Sequence, residues 1–98
     1  MKIVENIKTT WKDFVDNKME IYSFRSERFE LSITNSDKAS MNFNVKRTMI
    51  TIKNYTIFCD INGGSFEFTP NKKCETTITD DMIKVYDSKI GLFIKILR

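Results

Sequence analysis

Apolar and polar residues alternate along much of the chain, and this pattern constrains the fold more than any other feature of the sequence. The clearest case is the segment 27–34, where Phe29, Leu31 and Ile33 are separated by polar or charged residues. A period of two places such residues on one face of a β-strand. The composition agrees, because the chain has a single alanine, three leucines and no glutamine, whereas isoleucine, threonine and aromatic residues are plentiful. The sequence therefore predicts a protein built mainly of strands.

The first part of the chain has a different period and predicts a helix over about residues 2–18. Its apolar residues recur at spacings of four, four and three: Ile3, Ile7, Trp11 and Phe14. The polar side of this helix carries charges of both signs, so we expect it to pack on the protein's own sheet and not on a membrane. Trp11 is the largest apolar side chain of the stripe, and we expect it to be buried.

Residues from about 19 to 97 are expected to form an antiparallel sheet of about seven or eight strands. No second helical pattern separates one strand from the next, so consecutive strands should be joined by turns and run antiparallel. Candidate turns lie at 25–26, at 63–64 and at 87–88. A change of phase across residues 46–48 indicates a bulge or a break between two strands.

Two of these turns predict hairpins with a definite register. The glycine pair at 63–64 tolerates the positive φ of a two-residue turn and would set Ile61 opposite Phe66. The last turn would set Val85 opposite Ile90. In both hairpins apolar residues face apolar residues, which supports the register.

Together these elements predict a single α+β domain over residues 1–98. One N-terminal helix packs on a strongly twisted antiparallel meander, and closure of the sheet into a partial barrel is left open. A chain of 98 residues is long enough for one modest core.

The residues that the chain lacks exclude several kinds of chemistry. Without histidine there is no Ser-His-Asp or Cys-His arrangement, and two cysteines cannot supply the four ligands of a structural zinc site. The three glycines, Gly63, Gly64 and Gly91, form neither a P-loop nor a dinucleotide-binding turn. We therefore expect no enzyme activity, no cofactor and no metal.

Cys59 and Cys74 are expected to be free thiols in a cytoplasmic protein, of the producing or the host cell. The N-terminus has no apolar segment followed by a cleavage site for small residues, as a secretory signal would have. The longest apolar stretch, Ile90–Leu97, is interrupted by Lys95 and is too short to cross a bilayer. No membrane association is predicted.

Aromatic residues on the predicted outer face of the sheet indicate a protein interface. Phe58, Phe93 and Leu97 fall opposite the core-facing residues of their strands, where a solvated sheet face would carry polar residues. One helix cannot cover both faces of a sheet. The candidate contact residues, with Tyr86, therefore meet a partner protein or a second copy of the chain, unless they are ordinary surface residues or a second small core.

Basic residues are the second candidate surface. Lys46, Arg47, Lys72 and Lys73 are included among the partner-binding residues, and the chain has a formal net charge of +3. Nucleic-acid binding would require such residues to converge into one patch. Along the chain they are scattered and interleaved with acidic residues, so nucleic acid is the alternative partner.

The function predicted from the sequence is that of a small, non-catalytic binding protein acting on a protein partner. An inhibitor, an adaptor or an assembly factor would fit, and the abundance of isoleucine, lysine and asparagine is typical of an AT-rich, phage-like genome. The alternative is a nucleic-acid-binding module that uses the basic residues.

Overall fold

The computed structural model describes residues 7–18, 21–34 and 41–98, which form one antiparallel sheet and one short helix. The helix is α1 (Trp11–Asp16), and the strands are β1 (Ile7–Thr10), β2 (Ile21–Ile33), β3 (Met41–Lys53), β4 (Thr56–Ile61), β5 (Gly64–Phe68), β6 (Glu75–Ile78), β7 (Met82–Asp87) and β8 (Leu92–Leu97). Over these residues the strands lie in the order β1-β6-β7-β8-β2-β3-β4-β5, and the sheet does not close. The predicted α+β class with an antiparallel sheet agrees with this arrangement, whereas the partial closure into a barrel, which the sequence left open, is not seen among the described residues.

Two local meanders make up the sheet. β2 to β5 follow one another as hairpins, as do β6 to β8, and the pairing of β8 with β2 joins the two groups. The sheet is strongly curled, because the rings of Phe29 on β2 and Phe66 on β5 are 6.4 Å apart although β3 and β4 lie between their strands. On a flat sheet those strands would be about 14 Å apart.

The predicted helix over 2–18 is confirmed only for Trp11–Asp16, half of its described length. Residues 7–10 form β1, which pairs with β6, and Ile7 is 53% exposed instead of lying on an apolar helix stripe. α1 begins only at Trp11, where the hydroxyl of Thr10 accepts a hydrogen bond from the backbone N–H of Asp13 (3.2 Å). Backbone pairing at the sheet edge therefore prevails over the helical spacing.

The remainder of that prediction, over residues 2–6 with Ile3, lies outside the described residues.

Trp11 is fully buried, as predicted, and Phe14 is buried beside it. The indole N–H of Trp11 donates to the backbone carbonyl of Tyr55 (2.9 Å), and its backbone N–H donates to the carbonyl of Cys74 (2.9 Å). α1 is thereby fixed both to the β3–β4 turn and to the loop before β6.

The predicted turn at 25–26 is also wrong, because β2 continues through it as one long strand. The prediction failed because the side chains that face the core change phase within the strand. Ser26 is buried at an even position, whereas Phe29 and Leu31 are buried at odd positions. In the sequence, a turn between two strands and a change of face within one strand both shift the core-facing residues from even to odd positions.

β3 changes face at the same level as β2. Its partly buried residue Val45 pairs with Phe29 and its buried residue Thr48 pairs with Ser26, so the pairing of the two strands is kept on both sides of the change. Arg47 lies between them with φ of 52°, a left-handed conformation that rotates the following residues to the other face. This distortion of β3 accounts for the change of phase across residues 46–48, but the predicted bulge or break between two strands is wrong, because the β2–β3 register is the same on both sides and β3 is one strand.

Both predicted hairpins exist, although their turns lie elsewhere. Ile61 pairs with Gly64 and not with Phe66, and Gly63 supplies the positive φ of the turn (81°). Val85 pairs with Ile94, four residues beyond the predicted partner. Both displacements are even numbers of residues, so the predicted faces of these strands are still correct.

The core lies on the concave side of the curled sheet. Its fully buried members on the strands include Phe29, Ile50, Ile57, Ile83, Val85, Leu92, Ile94 and Ile96. The buried hydroxyls are satisfied: Ser26 donates to the carbonyl of Leu97 (2.6 Å), and Thr48 donates to the carbonyl of Asp60 (2.6 Å). The opposite, convex side carries the candidate residues described next.

Candidate partner-binding face

Phe93 and Tyr86 lie side by side on the outer face of the sheet. Leu92 and Ile94 are fully buried, so the alternation along β8 directs Phe93 to the opposite side. The β7–β8 ladder pairs Tyr86 directly with Phe93, and Tyr86 is 45% exposed. On its other side Phe93 faces Ser32 of β2. Two of the predicted contact residues are therefore adjacent.

Phe93 lines two neighbouring concavities of this face. The first has a volume of about 440 Å³ and is lined by residues of β1, β6, β7 and β8, among them Met82 and Tyr86. The second has a volume of about 360 Å³ and is lined by residues of β2 and β3, among them Ser32 and Asn44. An aromatic ring that borders both depressions is positioned to contact anything that docks across them.

Around Phe93, two lysines face each other across neighbouring strands, and one of them also faces a glutamate. The Lys84 ammonium lies 6.0 Å from the centroid of the Phe93 ring, and Lys84 sits directly opposite Lys95 across the β7–β8 ladder. Like charges opposed in this way are unfavourable. On its other side Lys95 faces Glu30, which also contacts the guanidinium of Arg28 (3.5 Å). We call Tyr86, Phe93 and Lys84, together with the two concavities, the aromatic patch.

Leu97 lies on the same face of β8 as Phe93, but at the end of the strand. It pairs with Met82 on one side and Arg28 on the other. It lines a separate concavity of about 410 Å³ together with Lys46 and Arg47. The structure thus places Leu97 beside basic residues and not beside Tyr86.

Phe58 is not part of the aromatic patch. It lies on β4, between Thr51 of β3 and Glu67 of β5, and it is partly buried. β2 and β3 separate β4 from β8, so the strands of Phe58 and Phe93 are three spacings apart, about 14 Å along the sheet. The structure therefore does not bring Phe58 and Phe93, both predicted partner contacts, together on one apolar surface.

The four predicted basic residues form two groups. Lys46 pairs with Arg28, and Lys46, Arg47 and Arg25 line a concavity of about 520 Å³ at the distortion of β3. We call Arg25, Arg28, Lys46 and Arg47 the basic group. Lys72 and Lys73 lie instead in the loop between β5 and β6, as described below.

The position of Lys72 is fixed by the turn at the far end of β3. Its ammonium lies 4.7 Å from the centroid of the Tyr55 ring, and the hydroxyl of that ring donates to Asp16 of α1 (2.5 Å). The backbone N–H of Lys73 donates to the side chain of Asn71 (2.8 Å), which shapes the same loop. Lys72 therefore lies near the Lys53 end of β3, and the length of β3 from Lys46 to Lys53 is about 20 Å. The pair Lys46 and Arg47 and the pair Lys72 and Lys73 do not form one patch.

Both cysteines are free and buried, as predicted. The thiol of Cys59 donates to the hydroxyl of Thr48 (3.6 Å), and burial raises its pKa. The thiol of Cys74 lies 3.8 Å from the carboxylate of Asp87, and burial together with that negative charge raises its pKa. A nucleophilic cysteine needs the opposite shift.

Two further classes of site are absent from the parts of the chain that the structure describes. Residues 7–18, 21–34 and 41–98 contain no group of three or more cysteine, aspartate or glutamate side chains placed to hold a metal ion. None of the helical segments within these ranges is long and apolar enough to cross a membrane.

Comparison with known proteins gives no match. No protein-family model, no curated protein and no solved structure resembles the chain closely enough to be significant.

Sequence reasoning missed part of the aromatic patch, although a signal for it was present. Ile83 and Val85 face the core, so the same alternation that selects Tyr86 also places Met82 and Lys84 on the outer face. Their proximity to Phe93 depends on the β7–β8 register, which the sequence did not predict correctly.

Proposed function

We propose that this protein is a non-catalytic binding protein of the cytoplasm that acts on another protein through the aromatic patch. The observation that carries the proposal is the position of Phe93, which lies beside the exposed Tyr86 and lines two concavities. Aromatic side chains next to depressions are typical energetic anchors of protein interfaces. An inhibitor, an adaptor or an assembly factor needs such a surface and no chemistry of its own.

The charges of the patch favour a particular kind of partner segment. Lys84 and Lys95 face each other across the ladder, and Glu30, which faces Lys95 on its other side, is already paired with Arg28. An acidic side chain of the partner, placed between the two ammonium groups, would relieve their repulsion while an apolar side chain packs on Phe93. The partner segment that fits best is therefore apolar with a flanking acidic residue.

The test compares baits that differ at single aromatic residues. Phe93→Ser and Tyr86→Ser should keep the fold, because neither side chain belongs to the buried core. Each variant should lower the affinity for the partner by about 2 kcal/mol, roughly thirtyfold. Phe58→Ser is the matched control, since it removes an outer-face phenylalanine that lies three strands away and is level with Ser23 of β2, whereas Phe93 is level with Ser32.

The measurement has two stages. Wild type and each variant are used to capture proteins from an extract of the producing organism, and a protein lost from the Phe93→Ser bait but kept by the Phe58→Ser bait is purified. Its affinity for each variant is then measured by calorimetric titration. Equal affinity for wild type and Phe93→Ser, with both proteins folded, would contradict the proposal.

Nucleic-acid binding is the second candidate, and the convergence of the basic group favours it. Arg25, Arg28, Lys46 and Arg47 lie around two adjoining concavities of about 520 and 410 Å³. However, Glu27 and Asp60 line the same depressions, which lowers the local positive potential. Protein binding therefore has the stronger support.

A charge reversal separates the two candidates. Lys46→Glu together with Arg47→Glu should abolish binding to a single-stranded oligonucleotide if the basic group is the functional surface, and the wild-type affinity should fall steeply with salt. Under the protein-binding proposal, the same variant changes mainly the association rate and its salt dependence, while Phe93→Ser abolishes binding.

A further inference from the structure

Among the strands that the structure describes, only β2 is a neighbour of the first half of β3. β2 pairs with β3 along nearly its whole length, whereas β4 pairs only with the segment Ile50–Lys53. Among the residues that the structure describes, the β2–β3 ladder supplies the only backbone hydrogen bonds of Met41–Val45. In an antiparallel strand alternate residues direct both backbone groups to the same side. Half of the backbone groups of Met41–Val45 therefore point away from the sheet.

The segment Met41–Val45 of this open edge lacks the features that normally protect an edge strand, whereas Lys46 and Arg47, further along the same edge, are charged. The two terminal strands are protected: β1 has only four residues and contains Lys8, and β5 begins at Gly64 and contains Glu67. Met41–Val45 contains no charge, no proline and no glycine. Unprotected edges of this kind pair readily with another strand.

The segment is chemically symmetric about Phe43. It reads Met-Asn-Phe-Asn-Val, an apolar residue at each end and an asparagine on either side of the central phenylalanine. Antiparallel pairing of two such segments about a two-fold axis at Phe43 sets Met41 against Val45 and Asn42 against Asn44. The asparagine amides can both donate and accept, so each pair can form a hydrogen bond. No charged residues are opposed within the five-residue pairing.

We propose that two copies of this chain associate through the edge Met41–Val45, so that their sheets continue across a two-fold axis at Phe43. Such an interface uses one surface of each copy and closes after two subunits. Phe43 is already stacked on Phe66 of β5, with ring centroids 4.1 Å apart, so each copy brings a preformed aromatic pair to the axis. This association goes beyond the proposed partner binding and is measured without the partner.

The first test places like charges opposite each other in the dimer. Asn42→Lys together with Asn44→Lys alters two exposed side chains that line the second concavity of the aromatic patch and removes the hydrogen bond from the amide of Asn44 to Glu30 (3.4 Å); no buried contact is lost, so the fold should be retained. In the symmetric pairing each new lysine faces a lysine of the other copy. Sedimentation velocity over a range of concentrations should show a wild-type dimer and a rise in the dimer Kd of about tenfold or more for the variant.

The control and the rescue identify the edge and its direction. Asn62→Lys together with Ser65→Lys adds the same two charges near the outer edge of β5, and it should leave the dimer Kd unchanged. Asn42→Glu together with Asn44→Glu should also fail to dimerise alone. Mixed in equal amounts with the Asn42→Lys/Asn44→Lys variant, it should form a heterodimer, because glutamate then faces lysine at every position. Circular dichroism melts confirm that each variant is folded.

Three results would overturn the proposal. If the wild-type chain is monomeric at every concentration, the open edge does not bind a second copy, and an extended peptide of another protein is the alternative occupant. An Asn42→Lys/Asn44→Lys variant that dimerises as well as wild type would place the interface elsewhere. A folded mixture of the two charged variants that stays monomeric would exclude antiparallel self-pairing. Phe93→Ser should dimerise like wild type, which separates failure of this proposal from failure of partner binding.

Discussion

Trp11 should be the most costly single side chain of the molecule to remove. It is fully buried, it packs beside Phe14 with ring centroids 5.5 Å apart, and its indole N–H donates to the backbone carbonyl of Tyr55 (2.9 Å). Trp11→Ala therefore removes a large buried ring and leaves the carbonyl of Tyr55 without its donor. Both effects act where α1 is fixed to the β3–β4 turn.

The magnitude follows from these two effects. Truncation of a buried tryptophan to alanine costs about 3–5 kcal/mol, and the unsatisfied carbonyl adds about 1 kcal/mol. Small domains have free energies of unfolding of about 5–15 kcal/mol, so Trp11→Ala should bring this protein close to unfolding at room temperature. Trp11→Phe keeps an aromatic ring in the site and loses the hydrogen bond, so it should cost about 1–2 kcal/mol.

The assay is urea denaturation followed by far-ultraviolet circular dichroism, because the variants lack the single tryptophan that fluorescence would report. Wild type, Trp11→Phe and Trp11→Ala should lose stability in that order. A loss of unfolding free energy below about 1 kcal/mol for Trp11→Ala would show that α1 does not contribute to the core, and it would refute a stabilising role for the buried ring and its hydrogen bond.

Three further predictions concern the thiols, α1 and the distortion of β3. In the native protein both cysteines should react with a thiol reagent only as fast as the protein opens, and in denaturant both should react at once; a fraction that reacts only after reduction would contradict this. Hydrogen bonds from Lys12 and Tyr55 lower the pKa of Asp16. The ionised carboxylate should therefore stabilise the protein at neutral pH, and this stabilisation should be lost as the pH falls below about 4. Asp16→Asn should remove the part of the acid-induced drop in Tm that comes from this carboxylate. Arg47→Gly should raise the free energy of unfolding by about 0.5–1 kcal/mol because of the left-handed φ of 52°, and a loss of stability in a urea titration would count against it.

The faces of the strands could be predicted from the sequence, because alternation is a local property. Phe93 and Tyr86 were placed on the outer face correctly, even though the predicted partner of Val85 was four residues too early. An even shift in register preserves the face of every side chain, and only an odd shift reverses it. The candidate residues were therefore identified, while their neighbours across the strands were not.

The rest depended on contacts between distant parts of the chain. Ile7 fits a helical stripe as well as it fits a strand, and its pairing with Ile78 decides between the two. The face change at Ser26 and Thr48 involves two strands at once, so neither strand alone distinguishes it from a turn. The separation of Phe58 from Phe93 follows from the strand order, which is set by the pairing of β8 with β2.

The strand order also determines how this protein must fold. Most of its pairings are between neighbours in the chain and can form early, but β8 must find β2 across most of the length of the sequence, and β1 must find β6. The loop-closure entropy of these two steps makes the meeting of the two meanders the slow event. Until it occurs, β2 has an empty edge where β8 will lie, and α1 has only half of its site. The helix α1, which donates to the carbonyl of Tyr55 on one side and to that of Cys74 on the other, can therefore be fixed on both sides only after the two meanders have met.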